Sequence, residues 1–388
     1  MARQHARPCA AVAGGLKVLR LCLLLIVVLC ACDREAPPGR DTAQTVPIGQ
    51  GMGIDPDSGF ARATLPRAFE FPADHGAHPA YATEWWYFTG NLHTDDDARF
   101  GYQLTLFRIG LVPGAAADDS DWRTSQIYMG HLAISDIGQG LHHSRERFSR
   151  AAVGLAGAQS DPLRVWLGPW SIDGTPGGTF PIRLKAEDND IAIALTLERG
   201  DRPRVLQGEQ GLSRKGAAPG NASYYYSHTR LPTRGEIRIA DRHYRISGNS
   251  WFDREWSSSA LAADQAGWDW FSLHLDDGRD LMFYRMRGKD GVAQRFSSGV
   301  LVDAEGTTHA LSLDGVKSEP TRTWQDENGV AYPVAWNLSI PQHALELHIE
   351  AAFDDQVMRH TVRYWEGAVV VSGSHSGTGY LELSGYAN

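Results

Sequence analysis

The main pattern in the chain after Phe60 is an alternation of apolar and polar residues with a period of two. Residues 191–198, 236–239 and 345–350 show this alternation most clearly. It is typical of antiparallel strands that turn one face to a core and the other to water. Short segments rich in acidic residues and glycine separate such runs, at 94–97, 187–190, 276–278 and 326–329. The pattern therefore predicts an all-β body of strands joined by tight turns.

One spacing of aromatic and aliphatic residues occurs twice along this body. The residues Trp85, Tyr87, Phe88 and Leu92 recur at the same spacing as Trp268, Trp270, Phe271 and Leu275. Each half also ends in a similar segment, one leading to Trp251 and the other to Tyr380. We predict two related β units in tandem, at 60–258 and 259–388. A closed barrel of about eight strands has room for one small ligand.

The first 31 residues have the features of a bacterial lipoprotein signal peptide. Basic residues precede an apolar run at 21–31, which is shorter than the roughly 20 residues needed to span a bilayer. The run ends in Leu29-Cys30-Ala31-Cys32, which matches a lipobox. We expect lipidation of Cys32, a flexible tether at 32–59, and a periplasmic lipoprotein anchored to the inner or outer membrane. A secretory signal cleaved nearby and an uncleaved anchor are the alternatives.

Charge and cysteine content exclude several classes of function. The 388 residues include 37 Lys+Arg and 46 Asp+Glu, a formal charge of −9. This balance argues against a nucleic-acid partner, because phosphate binding needs a basic surface. All four cysteines lie at or before position 32, so the body contains no disulfide and no thiolate metal ligand. No histidine spacing indicates a metal site, and no nucleotide-binding motif or nucleophile elbow occurs. We therefore expect no cofactor.

The first candidate site residues lie in an aromatic strand at 81–90. Glu84 and Trp86 share one face of this strand, whereas Trp85 and Tyr87 share the other. One face is predicted to fill a barrel or to line its cavity. Glu84 is then either a catalytic acid beside the rings, with its pKa raised by desolvation, or the partner of an arginine in a core.

A second candidate strand, at 248–257, places Trp251, Asp253 and Glu255 on one face. The two carboxylates are two residues apart, so in a dry site their charges repel and their pKa values separate. The alternative is an ion-pair network with Arg254 and other arginines.

Two isolated residues complete the candidate catalytic set. Asp269 lies on the strand face opposite Trp268 and Trp270, and it is either catalytic or an outward carboxylate of a packed strand. His131 begins a predicted strand, and it is either catalytic or a hydrogen-bonded structural side chain. The candidate ligand-contacting rings are Trp85, Trp86, Tyr226, Trp251, Trp256, Trp268 and Trp270.

Five ordered motifs, at 84–90, 131–136, 225–231, 251–256 and 267–271, resemble those of the hydroxyneurosporene synthase (carotenoid hydratase) superfamily. The sequence is most similar to its AttH-like branch of lipoproteins labelled as secreted hydrolases. The resemblance covers residues 65–388 and implies two tandem lipocalin-like antiparallel β-barrels. The carotenoid branch has a His-Asn-Trp version of the segment after Asp253, so Asp253 carries over by position, whereas Arg254 and Glu255 do not.

The resemblance implies cofactor-free hydration or lyase-type chemistry on an isoprenoid or lipid-like molecule. Protonation of carbon needs a carboxylic acid that an apolar wall keeps neutral, and rings that stabilise a cation. Asp253 is the candidate acid, and Glu84 or Glu255 is the candidate for positioning water. The alternative functions are a lipid carrier without catalysis, an envelope adaptor whose barrels are filled by their own side chains, and the hydrolase of the family label. The sequence leaves the ligand and the oligomeric state open.

Overall fold

The structure is a computed structural model that describes residues 59–113, 123–259 and 261–387. The predicted signal peptide, Cys32 and the tether up to residue 58 lie outside the described residues. The described part belongs to one compact unit, and its helical elements are short 3₁₀ turns at Ala73–His75, Leu313–Gly315 and Pro341–His343. Among these residues, no helix has the length and hydropathy needed to cross a bilayer.

The first sheet contains thirteen strands within the described residues. Their bounds are β1 Thr83–His93, β2 Arg99–Gly110, β3 Gln126–Asp136, β4 Leu141–Arg150, β5 Ala156–Ser160, β6 Leu163–Leu167, β7 Trp170–Asp173, β8 Ile182–Asp188, β9 Ile191–Leu197, β10 Arg204–Leu206, β11 Leu212–Arg214, β12 Ala222–Ile239 and β13 Arg242–Ser257. The order is β4-β3-β2-β1-β13-β12-β9-β8-β7-β6-β5, with β10 and β11 paired to β12. The sheet curls into a nearly closed barrel around the first core, a cluster that includes Trp86, Phe88, Leu106, Phe252 and Trp256.

The second sheet contains ten strands within the described residues. Their bounds are β14 Gln265–Leu275, β15 Asp280–Gly288, β16 Ser298–Val302, β17 Thr308–Ser312, β18 Lys317–Gln325, β19 Ala331–Ile340, β20 Leu345–Ala351, β21 Val357–Arg359, β22 Arg363–Gly373 and β23 Gly377–Leu383. The order is β17-β16-β15-β14-β23-β22-β20-β19-β18, with β21 paired to β22. This half-barrel encloses the second core, a cluster that includes Phe271, Phe283, Trp336 and Trp365.

The two sheets share one topology. In each, the first four strands form a meander on one side, and the first strand also pairs with the last strand of its unit. By this order β1 corresponds to β14, as the match of Trp85 with Trp268 predicts. Likewise β13 corresponds to β23, as the match of Trp251 with Tyr380 predicts. The internal repeat seen in the sequence is therefore a repeat of strand order.

The sheets pack against each other through the outer faces of their aromatic strands, and we call this contact the seam. One buried cluster joins the two sides of the seam, and its members include Tyr87, Tyr225, Trp251, Trp270, Tyr284, Met286 and Tyr380. Because successive side chains of a strand point to opposite faces, β1 directs Trp86 into the first core and Tyr87 into the seam.

Backbone and side chains approach closely across the seam. A Cβ atom added to Gly101 of β2 would lie 2.7 Å from the hydroxyl oxygen of Tyr380 and 2.9 Å from Cβ of Ala368. The hydroxyl of Ser135 donates a hydrogen bond of 2.8 Å to Oε1 of Gln356. Both shape and hydrogen bonding therefore fix how the sheets meet.

The structure confirms the all-β prediction and corrects two details. Strands β9 and β20 alternate buried and more exposed residues as expected. The aromatic strands are instead buried on both faces, since β14 is buried almost throughout, because the seam covers the face that was expected to meet water. His131 lies in the middle of β3 rather than at the start of a strand.

Candidate active site

A cavity lies in the seam, between the two sheets. About 1000 Å³ of space free of protein atoms lies in the cavity and in the open solvent at its mouth. Aromatic and acidic side chains dominate its lining, which includes Trp85, Tyr87, Phe107, Tyr225, Asp253 and Glu255 of the first sheet and Trp268, Trp270, Tyr284, Met286, Tyr364 and Glu382 of the second. We expected a ligand cavity inside a barrel, but this cavity lies where two barrels meet.

Strand register sets the acids of the first wall beside rings. In the antiparallel ladder of β1 and β13, Tyr87 lies opposite Asp253 and Trp85 lies opposite Glu255. Side chains of directly opposed residues lie on the same face and contact each other. Each carboxylate on this wall therefore has an aromatic neighbour from β1.

Asp253 is buried in this wall and is bound by neutral donors. The Tyr225 hydroxyl donates to Oδ2, while the Ser227 hydroxyl and the Trp251 indole N–H donate to Oδ1 over 2.5 and 2.7 Å. Burial raises the pKa of Asp253 to about 7, although these hydrogen bonds favour the ionised form. The Glu255 charge adds to the increase. Asp253 is thus a carboxylic acid that holds and releases a proton near neutral pH.

Glu255 lies in different surroundings on the same wall. The Nζ of Lys215 lies 3.3 Å from its Oε1, and the Ser223 hydroxyl donates to the same oxygen. Burial opposes ionisation of Lys215, but the Glu255 carboxylate raises the pKa of Lys215 overall. The ammonium also lies 3.9 Å from the Tyr284 ring centroid. This pair supplies opposite charges and polar hydrogens close to Asp253.

The second wall contributes a further acid, Glu382 of β23. The indole N–H of Trp268 donates a hydrogen bond of 2.8 Å to Glu382 Oε1. Burial raises the pKa of Glu382 to about 8, and the charges of Glu255 and Asp253 contribute to this increase. Glu366 of β22 lies directly opposite Glu382 in the ladder, and burial together with the Glu382 charge raises the pKa of Glu366 well above its usual range.

Tyr364 connects the cavity to His131. Its hydroxyl oxygen lies 2.8 Å from Nδ1 of His131, and Nε2 of that ring lies 3.1 Å from Oε1 of Glu146. Burial opposes ionisation of Glu146, but its hydrogen bonds with His131 and Thr361 lower the pKa of Glu146 overall. His131 itself is fully buried. It therefore lies one hydrogen bond behind the cavity wall.

Glu84 pairs with arginines in the first core, as the alternative to a catalytic acid predicted. Arg108 and Arg254 both form ion pairs with its carboxylate, and all three side chains are fully buried. Burial opposes ionisation, yet the charges of Arg254 and Arg108 hold the pKa of Glu84 far below its usual range. The Arg254 guanidinium also lies 4.0 Å from the Trp86 ring centroid. This cluster belongs to the first core.

Asp269 has similar arginine partners inside the second barrel. The guanidinium groups of Arg285 and Arg287 lie 3.0 and 2.5 Å from its oxygens, and the Tyr386 hydroxyl donates to it over 2.8 Å. Asp269 is fully buried, so the expectation of an outward carboxylate on this strand is wrong. The half-barrel curls over the face that was expected to be solvated.

The structure brings together only part of the predicted set. Five predicted residues line the cavity, namely Trp85, Asp253, Glu255, Trp268 and Trp270. Trp251 supports Asp253 from the seam, and His131 lies behind Tyr364. Glu84, Trp86, Tyr226 and Trp256 lie in or beside the first core instead. Asp269 lies inside the second barrel.

Sequence reasoning missed Lys215, Tyr225, Tyr364, Glu366 and Glu382. The repeat contains a signal for one of them, because the offset that relates Trp251 to Tyr380 also relates Asp253 to Glu382. The two wall acids are therefore counterparts in the two units. Glu366 has no such marker, because Ser227 occupies the ladder position opposite Asp253 that Glu366 occupies opposite Glu382.

Comparison with known proteins identifies the family. The AttH-like family profile matches residues 62–386. The chain belongs to the AttH-like family. A crystal structure of an AttH from Nitrosomonas europaea shares 36% sequence identity with this chain. The alignment covers 84% of this chain and 100% of the Nitrosomonas chain, with a TM-score of 0.75. The family resemblance of the sequence motifs is thus confirmed.

A second solved structure shares the fold of this AttH-like protein. The crystal structure of kievitone hydratase from Nectria haematococca shares 14% sequence identity with this chain. The alignment covers 84% of this chain and 96% of the hydratase chain, with a TM-score of 0.63. At that identity the likeness concerns the fold alone. Comparison with curated proteins gives no match.

Proposed function

We propose that this AttH-like protein catalyses cofactor-free hydration, or the reverse dehydration, of an apolar isoprenoid or lipid-like molecule bound in the seam cavity. The observation that supports this best is Asp253, a buried acid on an aromatic wall whose pKa of about 7 leaves it partly protonated at neutral pH. The fold is one on which a hydratase occurs, because kievitone hydratase has it.

In the hydration direction, Asp253 gives its proton to one carbon of a double bond. The positive charge then develops on the neighbouring carbon, where indole faces stabilise it through their quadrupoles. Trp268 and Trp270 on the facing wall provide such rings. A water molecule adds to the cation and loses a proton, which completes the alcohol. Glu255, fixed by Lys215 at 3.3 Å, is placed to hold that water.

The hydrolase label of the family finds less support at this site. Ser223, Ser257 and Ser259 are among the cavity-lining residues, but the described lining includes no histidine. Ser223 donates its hydroxyl hydrogen to Glu255, and the pairing of that carboxylate with Lys215 makes it a weak general base. Acid–base chemistry by carboxyl groups fits the residues present better than attack by a serine.

The first experiment is to identify the ligand. We would extract the purified protein with organic solvent and analyse the extract by mass spectrometry, and incubate any apolar compound found with wild type and Asp253→Asn. Conversion by wild type only, with equal binding by both, supports catalysis. Binding without conversion by either protein would make this a carrier. An empty protein that takes up no apolar fluorescent probe would favour the adaptor function.

We also propose that the protein acts in the bacterial cell envelope as a lipoprotein. The support is the signal-like segment at 1–31 with Cys32 after it, and an apolar ligand is compatible with a place at a membrane. Metabolic labelling with a fatty-acid analogue tests this, since wild type should incorporate label and Cys32→Ser should not. Equal labelling of both proteins would contradict lipidation at Cys32.

A further inference from the structure

Two glutamates face each other without a counter-ion at the second wall of the cavity. Glu366 and Glu382 are directly opposite on β22 and β23. Glu366 is 1% exposed, and its carboxylate oxygens have no close hydrogen-bond partner among the described residues. The Tyr87 and Tyr364 hydroxyls beside it oppose the rise in its pKa but do not cancel it. A buried charge without a partner is very unfavourable. The two side chains therefore need a proton between them.

The groups packed around the pair do not remove this need. Tyr87 from β1 and Tyr364 from β22 are neutral neighbours, because burial and the glutamate charges raise the pKa of each hydroxyl well above its usual range. Asp253 and Glu255 from β13 add negative charge. Lys215 also lines the cavity, but it is paired with Glu255. Two like charges in a dry site do not both ionise.

A hydrogen-bonded path leads from this wall toward solvent. Tyr364 lines the cavity with Glu382, and its hydroxyl lies 2.8 Å from His131, which lies 3.1 Å from Glu146. The Glu146 side chain is 14% exposed, and its other oxygen accepts a hydrogen bond of 2.7 Å from the exposed Thr361 hydroxyl. Phenol and imidazole each accept a proton on one side and donate one on the other.

We propose that Glu382, sharing one proton with Glu366, is the second proton-transfer group of the cavity, and that Tyr364, His131 and Glu146 connect this pair with solvent. The proposal rests on the proposed function in that it names the group that acts on water. Asp253 and Glu382 then act from opposite walls on one bound molecule.

The protons balance over one hydration. Asp253 gives a proton to carbon and becomes a carboxylate, and water adds to the cation. The proton that this water loses passes to the glutamate pair, which then holds two protons. One leaves through Tyr364 and His131 to Glu146 and solvent, and Asp253 regains one from solvent at the cavity mouth. In dehydration each transfer runs in reverse.

The shared proton is tested without a substrate. In protein labelled with ¹³C at the glutamate carboxyl carbons, we expect two coupled signals that titrate near or above neutral pH, separate from the exposed glutamates. Glu366→Gln removes one signal and shifts the other to lower pH, because a like charge is lost. Glu350→Gln, an exposed control on β20, should leave both signals unchanged. Titration of both glutamates below pH 5 would overturn the proposal.

Kinetic measurements on a compound extracted from the purified protein distinguish the role of Glu382 from that of Tyr364. We expect Glu382→Gln to lower kcat by about 10²–10⁴-fold with KM nearly unchanged. Tyr364→Phe should lower kcat less and change its pH profile, because the carboxyl pair remains but its link to solvent is broken. Full turnover by Glu382→Gln would refute the catalytic role.

Each variant's fold is checked by near-UV circular dichroism, and if Glu382→Gln does not fold, Glu366→Gln gives the same test. The titration needs no substrate and no catalysis by Asp253. If Asp253→Asn retains turnover while the titration confirms the shared proton, the proposed function is refuted. The proton shared by Glu366 and Glu382 is then still supported.

Discussion

Buried acids occupy two kinds of surroundings in this protein. Inside the barrels, Glu84 lies between Arg108 and Arg254, and Asp269 lies between two further arginines. At the seam, Asp253 is bound by hydroxyl and indole donors. All three carboxylates are almost completely buried. Burial is therefore common to both surroundings, and the partners are what differ.

The partners decide the protonation states of Glu84 and Asp253. The guanidinium charges outweigh desolvation at Glu84 and lower its pKa. Neutral donors do not outweigh it at Asp253, where the pKa rises to about 7. An ionised acid inside a barrel stabilises the fold, whereas a neutral acid beside an open cavity is able to transfer a proton. Glu84 is thus held ionised inside the first barrel, whereas Asp253 is partly protonated near neutral pH at the seam.

Removal of the core carboxylate should have the largest effect on stability. Glu84→Gln leaves two buried guanidinium groups without an anion, and breaking such a pair costs about 3–5 kcal/mol. Urea unfolding measures the change. The matched control is Glu187→Gln, which breaks the exposed pair with Arg238 and should cost less than about 1 kcal/mol. Similar losses of unfolding free energy in both variants would mean that the buried pairs of Glu84 contribute no more to stability than an exposed pair does.

The contributions of Asp253 at the seam and Glu84 in the first barrel to stability should change with pH in opposite directions. Asp253 has its folded pKa raised from 3.8 to about 7, so its contribution is complete below pH 3.8 and is lost as pH rises toward 7. Glu84 has its pKa lowered from 4.5, so its contribution is present above 4.5 and is lost as pH falls.

At about 1.4 kcal/mol per pKa unit, Asp253→Asn should gain a few kcal/mol relative to wild type between pH 4 and 7. Urea unfolding at a series of pH values measures this difference. A constant difference across that range would show that Asp253 is not protonated in the folded protein.

The close approach of the sheets gives the next effect. Gly101→Ala places a methyl group 2.7 Å from the Tyr380 hydroxyl oxygen and 2.9 Å from Cβ of Ala368, so side chains or strands at the seam must shift. Overpacking of this kind costs about 1–3 kcal/mol. Gly315→Ala, whose Cβ meets no atom within 4 Å, is the control in thermal unfolding. If Gly101→Ala binds an apolar fluorescent probe more weakly than wild type and Gly315→Ala does not, the disturbance of the seam extends to the cavity.

The smallest effect concerns the neutral donors of the seam. The Trp251 indole N–H stabilises the ionised form of Asp253, so Trp251→Phe should raise the Asp253 pKa further while it preserves an aromatic ring in the packing. Carboxyl ¹³C titration of labelled aspartate measures the shift. A lower pKa in this variant would contradict the assignment of neutral hydrogen bonds as the opposing influence on Asp253.

Much of this organisation could be predicted from the sequence. Alternation located β9 and β20, and the recurrence of the Trp85 spacing at Trp268 located the two units, because a period of two and a repeated spacing are local properties of a chain. Asp253 carried over from the family motifs by position, and it lines the cavity. These predictions needed no knowledge of which strands meet.

The sequence by itself determined the strands, the repeat and the face of each strand on which a residue lies, because alternation follows from backbone geometry. Only the tertiary structure decided which face meets an arginine and which meets the other sheet. Glu84 and Asp253 look alike in sequence, as acids within aromatic strands. The difference between them comes from side chains far away in the chain, since Arg108 reaches the first core from β2, and β14 to β23 close the seam over Asp253.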